Sequence, residues 1–518
     1  MRVKTMFGLC CCAVLAMTMA ASSRAALEVG VTEDAGKSAD KGAAFYAAMT
    51  DLGLKANRVS ISWDPANPTT IANQGEVSAW LPQAQASGTR VIFAVSPLKA
   101  TGITASPTGV TEFVAFVKQL AQTFPSVKDY VIGNEPNQPR FWLPQYKAGT
   151  AKALSAAAYM TVLAQSYDAL KSVDPTINVI GLGLSPRGND QPVAPSNSSR
   201  SPVRFLHDLG VAYRASHRAK PLMDELAFHP YPSRDGDSPD VGYVWPNAGI
   251  PNLDRIKQAV WDAFHGTAQP TFYEPGVKTF AKPLMFELDE VGWQVTILPD
   301  LAPLYFGKET SRSTITEQQQ AQYYTDAIES LACDRTVRAL NFFHLMDEPD
   351  LNRWQSGLER VDLTPRPSYQ AVKDTLKTTG GKCERTPIKW SHTLKVVDGR
   401  TSFGLKTRPT TWTKWSFPTG AGEAATFRAG VFPVTVGKKA IGKRLTSGRP
   451  APLLSSKGTI AAKNRVVTFP ARKLKPGRYV YAIRMVATMN AQRTSLFVSK
   501  PFLVGKTKKA VKKKTVHS

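Results

Sequence analysis

Between residues 27 and 378 short apolar runs alternate, eight times, with longer stretches whose apolar positions recur every three or four residues. The runs fall at 27–31, 58–61, 91–95, 131–133, 179–182, 226–228, 284–290 and 339–343. They are rich in Val, Ile and Leu without strict polar alternation, the pattern of parallel strands covered on both faces. The longer stretches, at 40–52, 77–86, 110–124, 153–173, 203–215, 253–264, 316–332 and 368–378, repeat at the period of a helix. Asp174-Pro175 closes the alanine-rich fourth one, and a Thr-x-x-Gln-like cap opens the seventh at Thr316. Eight strand–helix units in about 355 residues predict an α/β fold, a (β/α)8 TIM barrel with insertions. A doubly wound open sheet is the alternative, because periodicity does not report closure. No Gly-x-Gly-x-x-Gly follows the first strand, so dinucleotide binding has no support.

Beyond residue 385 helical periodicity disappears. Short β-prone runs (427–436, 466–469, 479–485, 494–498) alternate with Gly, Pro and Ser turns, which predicts a small all-β sandwich over 385–505. Leu474-Lys-Pro-Gly-Arg-Tyr479 resembles the turn-plus-tyrosine signature of fibronectin type III and immunoglobulin-like domains. There the tyrosine hydroxyl bonds back to the backbone at a corner between the sheets. Charge marks the same boundary. Residues 385–518 hold 29 Lys and Arg against two acids, Asp398 and Glu423, while residues 26–384 hold 33 basic and 38 acidic side chains. The overall charge of +25 therefore belongs to the C-terminal part. Its last stretch, 506–518, holds six lysines and no packing pattern, and reads as a disordered basic tail.

The N-terminus changes the compartment. Arg2 and Lys4 precede an apolar segment from Met6 to Ala21, and Ser23-Arg24-Ala25 supplies small residues for cleavage. Residues 1–25 therefore read as a signal peptide, too short to be a convincing membrane span, and the protein is expected to be secreted. Cys10, Cys11 and Cys12 leave with it, so Cys333 and Cys383 remain in an oxidising compartment. Each follows a helix, after strands 7 and 8 respectively. In a barrel both helices end at the N-terminal face and are neighbours in the outer ring, so the topology predicts a disulfide between these two cysteines.

The chemistry is expected where strands end, because a barrel's C-terminal strand ends converge on one mouth. Strand 4 runs into Asn134-Glu135-Pro136, and Pro136 closes the element just after the glutamate. Strand 7 runs into Glu290-Val-Gly-Trp293-Gln294, strand 6 into His229-Pro-Tyr231, and strand 8 is followed by His344, Asp347, Glu348 and Trp354. Arg58 opens strand 2. Glu287 and Asp289 compete with Glu290, but alternation puts Phe286, Leu288 and Glu290 on one face and predicts that the two neighbours turn away. Carboxylates, amides and tryptophans in one mouth suit sugar binding. No His/Cys/Asp spacing suggests a catalytic metal, and no cofactor is expected.

The motifs Asn134-Glu135-Pro136 and Glu290-Val291-Gly292-Trp293 resemble those of the (β/α)8 superfamily of retaining glycoside hydrolases, which includes cellulases, mannanases and β-xylosidases. Val291 stands where that superfamily usually has an aromatic. The resemblance covers roughly 27–378. It implies a β-glycosidic bond cleaved by two glutamates, Glu135 as acid/base and Glu290 as nucleophile, with carboxyls about 5–5.5 Å apart. It further implies that Asn134 bonds the sugar 2-hydroxyl, that Arg58 keeps Glu290 ionised, and that Tyr231 donates to it. His229 and Trp293 would line the subsite and Trp354 form a sugar platform. The partner expected of the barrel is a poly- or oligosaccharide, and of the basic region an anionic cell-envelope glycan. Nucleic acid is not expected, since the basic segment lacks interleaved aromatics. A non-catalytic carbohydrate-binding barrel and a surface adhesin are the alternatives.

Overall fold

The structure is a computed structural model. It describes residues 26–194, 197–272, 282–311 and 313–383, and discontinuous stretches between 390 and 504. The expected signal peptide and basic tail lie outside the described residues.

The eight expected strands are β1 (Glu28–Thr32), β2 (Ala56–Trp63), β3 (Arg90–Pro97), β4 (Asp129–Ile132), β5 (Asn178–Leu184), β6 (Glu225–Phe228), β7 (Met285–Val291) and β8 (Val337–Phe343). Each pairs in parallel with the next, and β8 pairs with β1. This closes the barrel and rejects the open sheet. The helices between and after them are α1 (Ala43–Leu52), α2 (Gln74–Ala86), α3 (Gly109–Thr123), α4 (Ser155–Val173), α5 (Pro202–Ala215), α6 (Leu253–Phe264), α7 (Glu317–Leu331) and α8 (Pro367–Thr379). At the head of α7 the Thr316 hydroxyl accepts from Gln319 N–H, and the Gln319 side chain accepts from Thr316 N–H, as the capping pattern requires.

Outward-facing strand residues such as Val29, Val59, Phe93, Tyr130 and Leu226 join the helices in one large apolar layer. The inward-facing set is thinner: Ala56, Ile92, Ala94, Val131, Ile180 and Ala227 form a separate plug inside the barrel. At the barrel's N-terminal end the interior is ionic. Arg90 bonds Glu28 (2.8 Å), Asp129 (3.2 Å) and Glu287 (2.9 Å), and Arg338 bonds Glu225 (2.6 Å) and lies 3.5 Å from Glu28 and Asp129. Two guanidinium groups thus serve four carboxylates. Burial pushes Glu287 up to about 8 against the pull of Arg90, with the Glu225 charge adding to the rise. Burial likewise raises Glu225 despite Arg338 and Arg90. A proton is held in the cluster as a whole.

The ring is fastened where it begins and ends. Leu27 N–H donates to Gly381 O (2.9 Å), and Cys333 and Cys383 are bonded with Cα atoms 4.5 Å apart. Beyond the barrel the chain is mostly β. One antiparallel group joins Lys395–Val396, Trp415–Ala421 and Arg465–Phe469, with Trp390–His392 also on Trp415–Ala421. A larger sheet is built on Ala425–Pro433 and Gly477–Ala487, flanked by Leu454–Ile460 and Thr494–Val498. The Tyr479 hydroxyl donates to Lys475 O at 2.7 Å, the backbone contact expected of the corner tyrosine. One expectation fails. A helix, Lys438–Ser447, interrupts the all-β pattern and buries Ile441 and Leu445 against Phe432, Val480 and Ala482. Its short apolar stripe, flanked by lysines and arginines, is too sparse to register as periodicity, and the preceding strand stops at Pro433 instead of continuing to Val436.

Two outcomes test this frame. Closing a loop of 50 residues stabilises by about 4 kcal/mol on the chain-entropy model, so reduction, or Cys383→Ser, is expected to lower Tm while leaving the folded barrel's circular dichroism unchanged below it. The ionic end predicts a pH trend. Because Glu287 is raised in the folded state, its contribution is complete below the unfolded carboxylate pKa of about 4.3 and is lost as pH rises through about 8. Calorimetry is expected to show Tm falling from about pH 5 to about pH 9, and falling less in Glu287→Gln; equal slopes would contradict it.

Candidate active site

At the opposite, C-terminal end the strands deliver their polar residues to one mouth. Glu135 arrives on an irregular backbone. After β4 the chain turns at Gly133 (φ +86°), where a Cβ would come within 3.0 Å of the Tyr159 ring. The next residue but one, Glu135, itself sits at φ +38°, a left-handed conformation that costs a non-glycine residue of order 1–3 kcal/mol. The surroundings hold it there. Glu135 N–H donates to Gly183 O (2.8 Å), Gln145 donates to Pro136 O (2.9 Å), and the buried Asn137 amide bonds Ser185 in both directions and Arg200 O. From α4, Tyr159 donates its hydroxyl to Ile132 O (2.5 Å) and accepts from Leu182 N–H (2.7 Å), which satisfies the backbone where β5 bulges.

Glu290 arrives by a different irregularity. Along β7, Glu287 and Asp289 point into the barrel, while Phe286 and Leu288 join the outer apolar layer. The expectation that Glu290 shares a face with Phe286 and Leu288, and so excludes its neighbours, is therefore wrong. The register against β8 shifts between Leu288 and Val291, and that bulge brings Glu290 inward directly after Asp289. Two consecutive carboxylates then enter one site, which strict alternation forbids.

The side chains meet around two cations. Arg58 Nη1 lies 2.9 Å from Glu290 Oε1, its Nη2 donates to Asn134 Oδ1 (2.8 Å), and its Nε is 3.3 Å from Asp289 Oδ2. His229, fully buried, places Nδ1 3.0 Å from Glu135 Oε1 and 3.4 Å from Glu290 Oε2, and Nε2 3.3 Å from Asp289 Oδ1. The Tyr231 hydroxyl donates to Glu290 Oε2 (3.1 Å). The two Asp289 contacts are ion pairs without hydrogen-bond alignment. One oxygen of Glu135 and one of Glu290 thus share the His229 Nδ1 nitrogen.

Titration follows from this packing. Burial opposes a charge on His229, but Glu290 and Asp289 more than offset it and push the imidazole up to about 10. Burial raises Glu290, with Asp289 and Glu135 adding to the rise, and His229 and Arg58 pull it back. Asp289 is buried too, yet His229 and Arg58 hold it below the usual range. Burial and the Glu290 charge keep Tyr231 protonated.

Of the expected residues, Glu135, Glu290, Arg58, Asn134, His229 and Tyr231 are brought together. Trp354 joins them at the rim: half-buried, its ring lies 5.0 Å from Tyr231 and 5.7 Å from Phe343, and Glu348 accepts from its backbone N–H. Trp293 does not. It is 1 % exposed, packed on Tyr323 and Tyr324, and its indole N–H donates to Asp237 O (2.7 Å), so it has no face for a sugar. Asp347 is likewise structural, accepting from the two Nη nitrogens of Arg366. Asp289 is the residue that pattern reasoning missed; its one signal was a third acid within four residues of a strand that is otherwise apolar. Among the described residues no group of three or more His, Cys, Asp or Glu is placed to hold a metal ion, and no helix is long and apolar enough to cross a membrane.

No protein-family model and no curated protein matches the chain. Similar solved structures include a family 39 glycoside hydrolase from Bacteroides cellulosilyticus (16 % identity, 87 % of this chain and 81 % of that one, TM-score 0.48). A monomeric β-xylosidase from Caulobacter crescentus is similar over 87 % of this chain and 98 % of its own (15 % identity, TM-score 0.44). An α-L-arabinofuranosidase from Thermotoga maritima covers 88 % and 97 % (12 % identity, TM-score 0.42).

The buried imidazolium is directly testable. Nitrogen NMR of the wild type is expected to show His229 protonated at both nitrogens up to about pH 10. In Asp289→Asn, one of its three carboxylates is neutralised and its pKa is expected to fall by at least about one unit. An unmoved titration would exclude Asp289 from holding that charge.

Proposed function

We propose that this protein is a retaining glycoside hydrolase that cleaves β-glycosidic bonds in a poly- or oligosaccharide. The observation that carries the reading is the single His229 nitrogen in reach of both Glu135 and Glu290, which keeps the two carboxyls close enough to work on one bond and so supports a double displacement. The asymmetry of their partners supports the roles proposed for them. Glu290 has a donor on each oxygen, Arg58 on one and Tyr231 on the other, a setting for an anion that must stay ionised and aimed. Among the described residues Glu135 forms no ion pair with an arginine, and its charged contact is His229.

Glu290 attacks the anomeric carbon while Glu135 gives its proton to the departing glycosidic oxygen. Glu135, now a carboxylate, takes a proton from the water that displaces Glu290, and the starting state returns. Burial favours the neutral form of Glu290, so Arg58 and His229 are what keep the nucleophile charged. The Asn134 amide, oriented by Arg58, would bond the 2-hydroxyl, and the face of Trp354 would support a pyranose ring. Secretion belongs to the same proposal: residues 1–25 have the signal-peptide pattern, and a disulfide suits an oxidising compartment.

Turnover of aryl β-glycosides tests it. Glu290→Gln is expected to lower kcat by at least about a thousandfold. Glu135→Gln should lose about 10²–10⁴-fold on poor leaving groups and far less on dinitrophenyl glycosides, which need little acid assistance. No turnover of any member of a broad panel by the wild type would favour a non-catalytic binding barrel or an adhesin.

A further inference from the structure

The larger C-terminal sheet carries a charge arrangement that no acidic side chain among the described residues neutralises. In its ladder Lys457 lies directly opposite Arg428, and Arg428 directly opposite Arg484. Three cations therefore stand side by side on one face of three adjacent strands, where like charges oppose each other at a cost. The helix Lys438–Ser447 packs on that same face through Ile441 and Leu445 and brings Lys438, Lys439 and Lys443 beside them. Together with Arg484 these lysines line a cavity of about 600 Å³ whose other walls are Gly442, Thr446, Thr494 and Leu496. No Asp or Glu occurs among the described residues beyond 383. Lys438, Lys439, Lys443 and Arg484 have no ion-pair or side-chain hydrogen-bond partner among the described residues. Burial and the neighbouring Arg428 disfavour the charge on Arg484, a strain that an anion in the cavity would relieve.

We infer that this cavity is a second saccharide site, one that takes a carboxylate- or sulfate-bearing segment of an acidic polysaccharide. Its chemistry narrows the ligand. Among the described residues no aromatic ring lines it, which disfavours stacking of a neutral sugar face or a nucleic-acid base. Lys438 and Lys443 contribute ammonium groups from the helix and Arg484 a guanidinium from the sheet, so anions spaced along a chain can be met from two sides. That the polyanion is a polysaccharide rests on the proposed glycosidase activity of the barrel; the anionic character of the ligand does not.

The test uses the full chain in affinity electrophoresis through gels containing polygalacturonate, dextran sulfate or neutral dextran. Retardation is expected in one or both acidic gels and not in neutral dextran, weakening steeply with salt. Lys438→Glu/Lys443→Glu is expected to weaken it at least tenfold, whereas Lys512→Glu/Lys513→Glu, the same charge change in the tail, should alter it less than about threefold. Equal losses in the two variants would reduce the effect to net charge and overturn the site. Tighter binding to phosphatidylserine vesicles or a DNA oligonucleotide, with the same pocket dependence, would overturn the polysaccharide assignment. Both variants should hydrolyse a small aryl glycoside at the wild-type rate. Pocket-dependent retardation in a protein inactive on every glycoside would support the site and reject the barrel's activity.

Discussion

The mouth of this barrel depends on one buried ionic contact set: Arg58 and His229 against Glu135, Asp289 and Glu290. Taking any one of these charges out of water alone would cost several kcal/mol. Held together, each offsets its neighbour's desolvation, so the side chains are orientated by mutual necessity. Asp289 is the member that never faces the opening. It touches Arg58 with one oxygen and His229 with the other, and so fixes the two cations whose far sides meet the glutamates. The geometry of the outer pair is inherited from a carboxylate behind it.

Irregular backbone makes that arrangement possible. A β-strand with strict alternation offers the interior every second side chain, and the two glutamates reach the mouth only because β7 bulges and because Glu135 accepts a left-handed conformation. Neither distortion stands alone. The bulge in β5 is stitched to the end of β4 by Tyr159, and Asn137 ties the loop after Glu135 to the strand beyond. The strain is local, and the hydrogen bonds that hold it come from regular elements around it.

These distortions also mark where sequence stops being legible. The eight units, the capped helix at Thr316, and the cysteine pair could be read directly, because each follows from periodicity or from the topology that periodicity implies. Glu135 was legible because a proline follows it, and Tyr231 and His229 because they end a strand. Asp289 was not, since alternation assigns one inward face and a bulge quietly supplies a second. Trp293 misled for the opposite reason: beside a glutamate its motif suggests a ligand, but burial among Tyr323 and Tyr324 is decided by tertiary packing. The helix Lys438–Ser447 escaped notice because its two buried residues, Ile441 and Leu445, make one contact stripe too short to stand out from basic surroundings.

The Cys333–Cys383 bond has a mechanical side. Cys383 lies only a few residues after the end of α8 at Thr379. If the region beyond it grips a polymer in a moving medium, drag on either body is transmitted along the backbone through this point. Without a cross-link that tension would peel α8, whose neighbours hold it by noncovalent contacts alone. With it, force passes sideways into the chain at the end of α7, and the load is shared by two helices in the outer ring. The disulfide then acts as a strain relief, of the kind that protects a cable where it enters a housing.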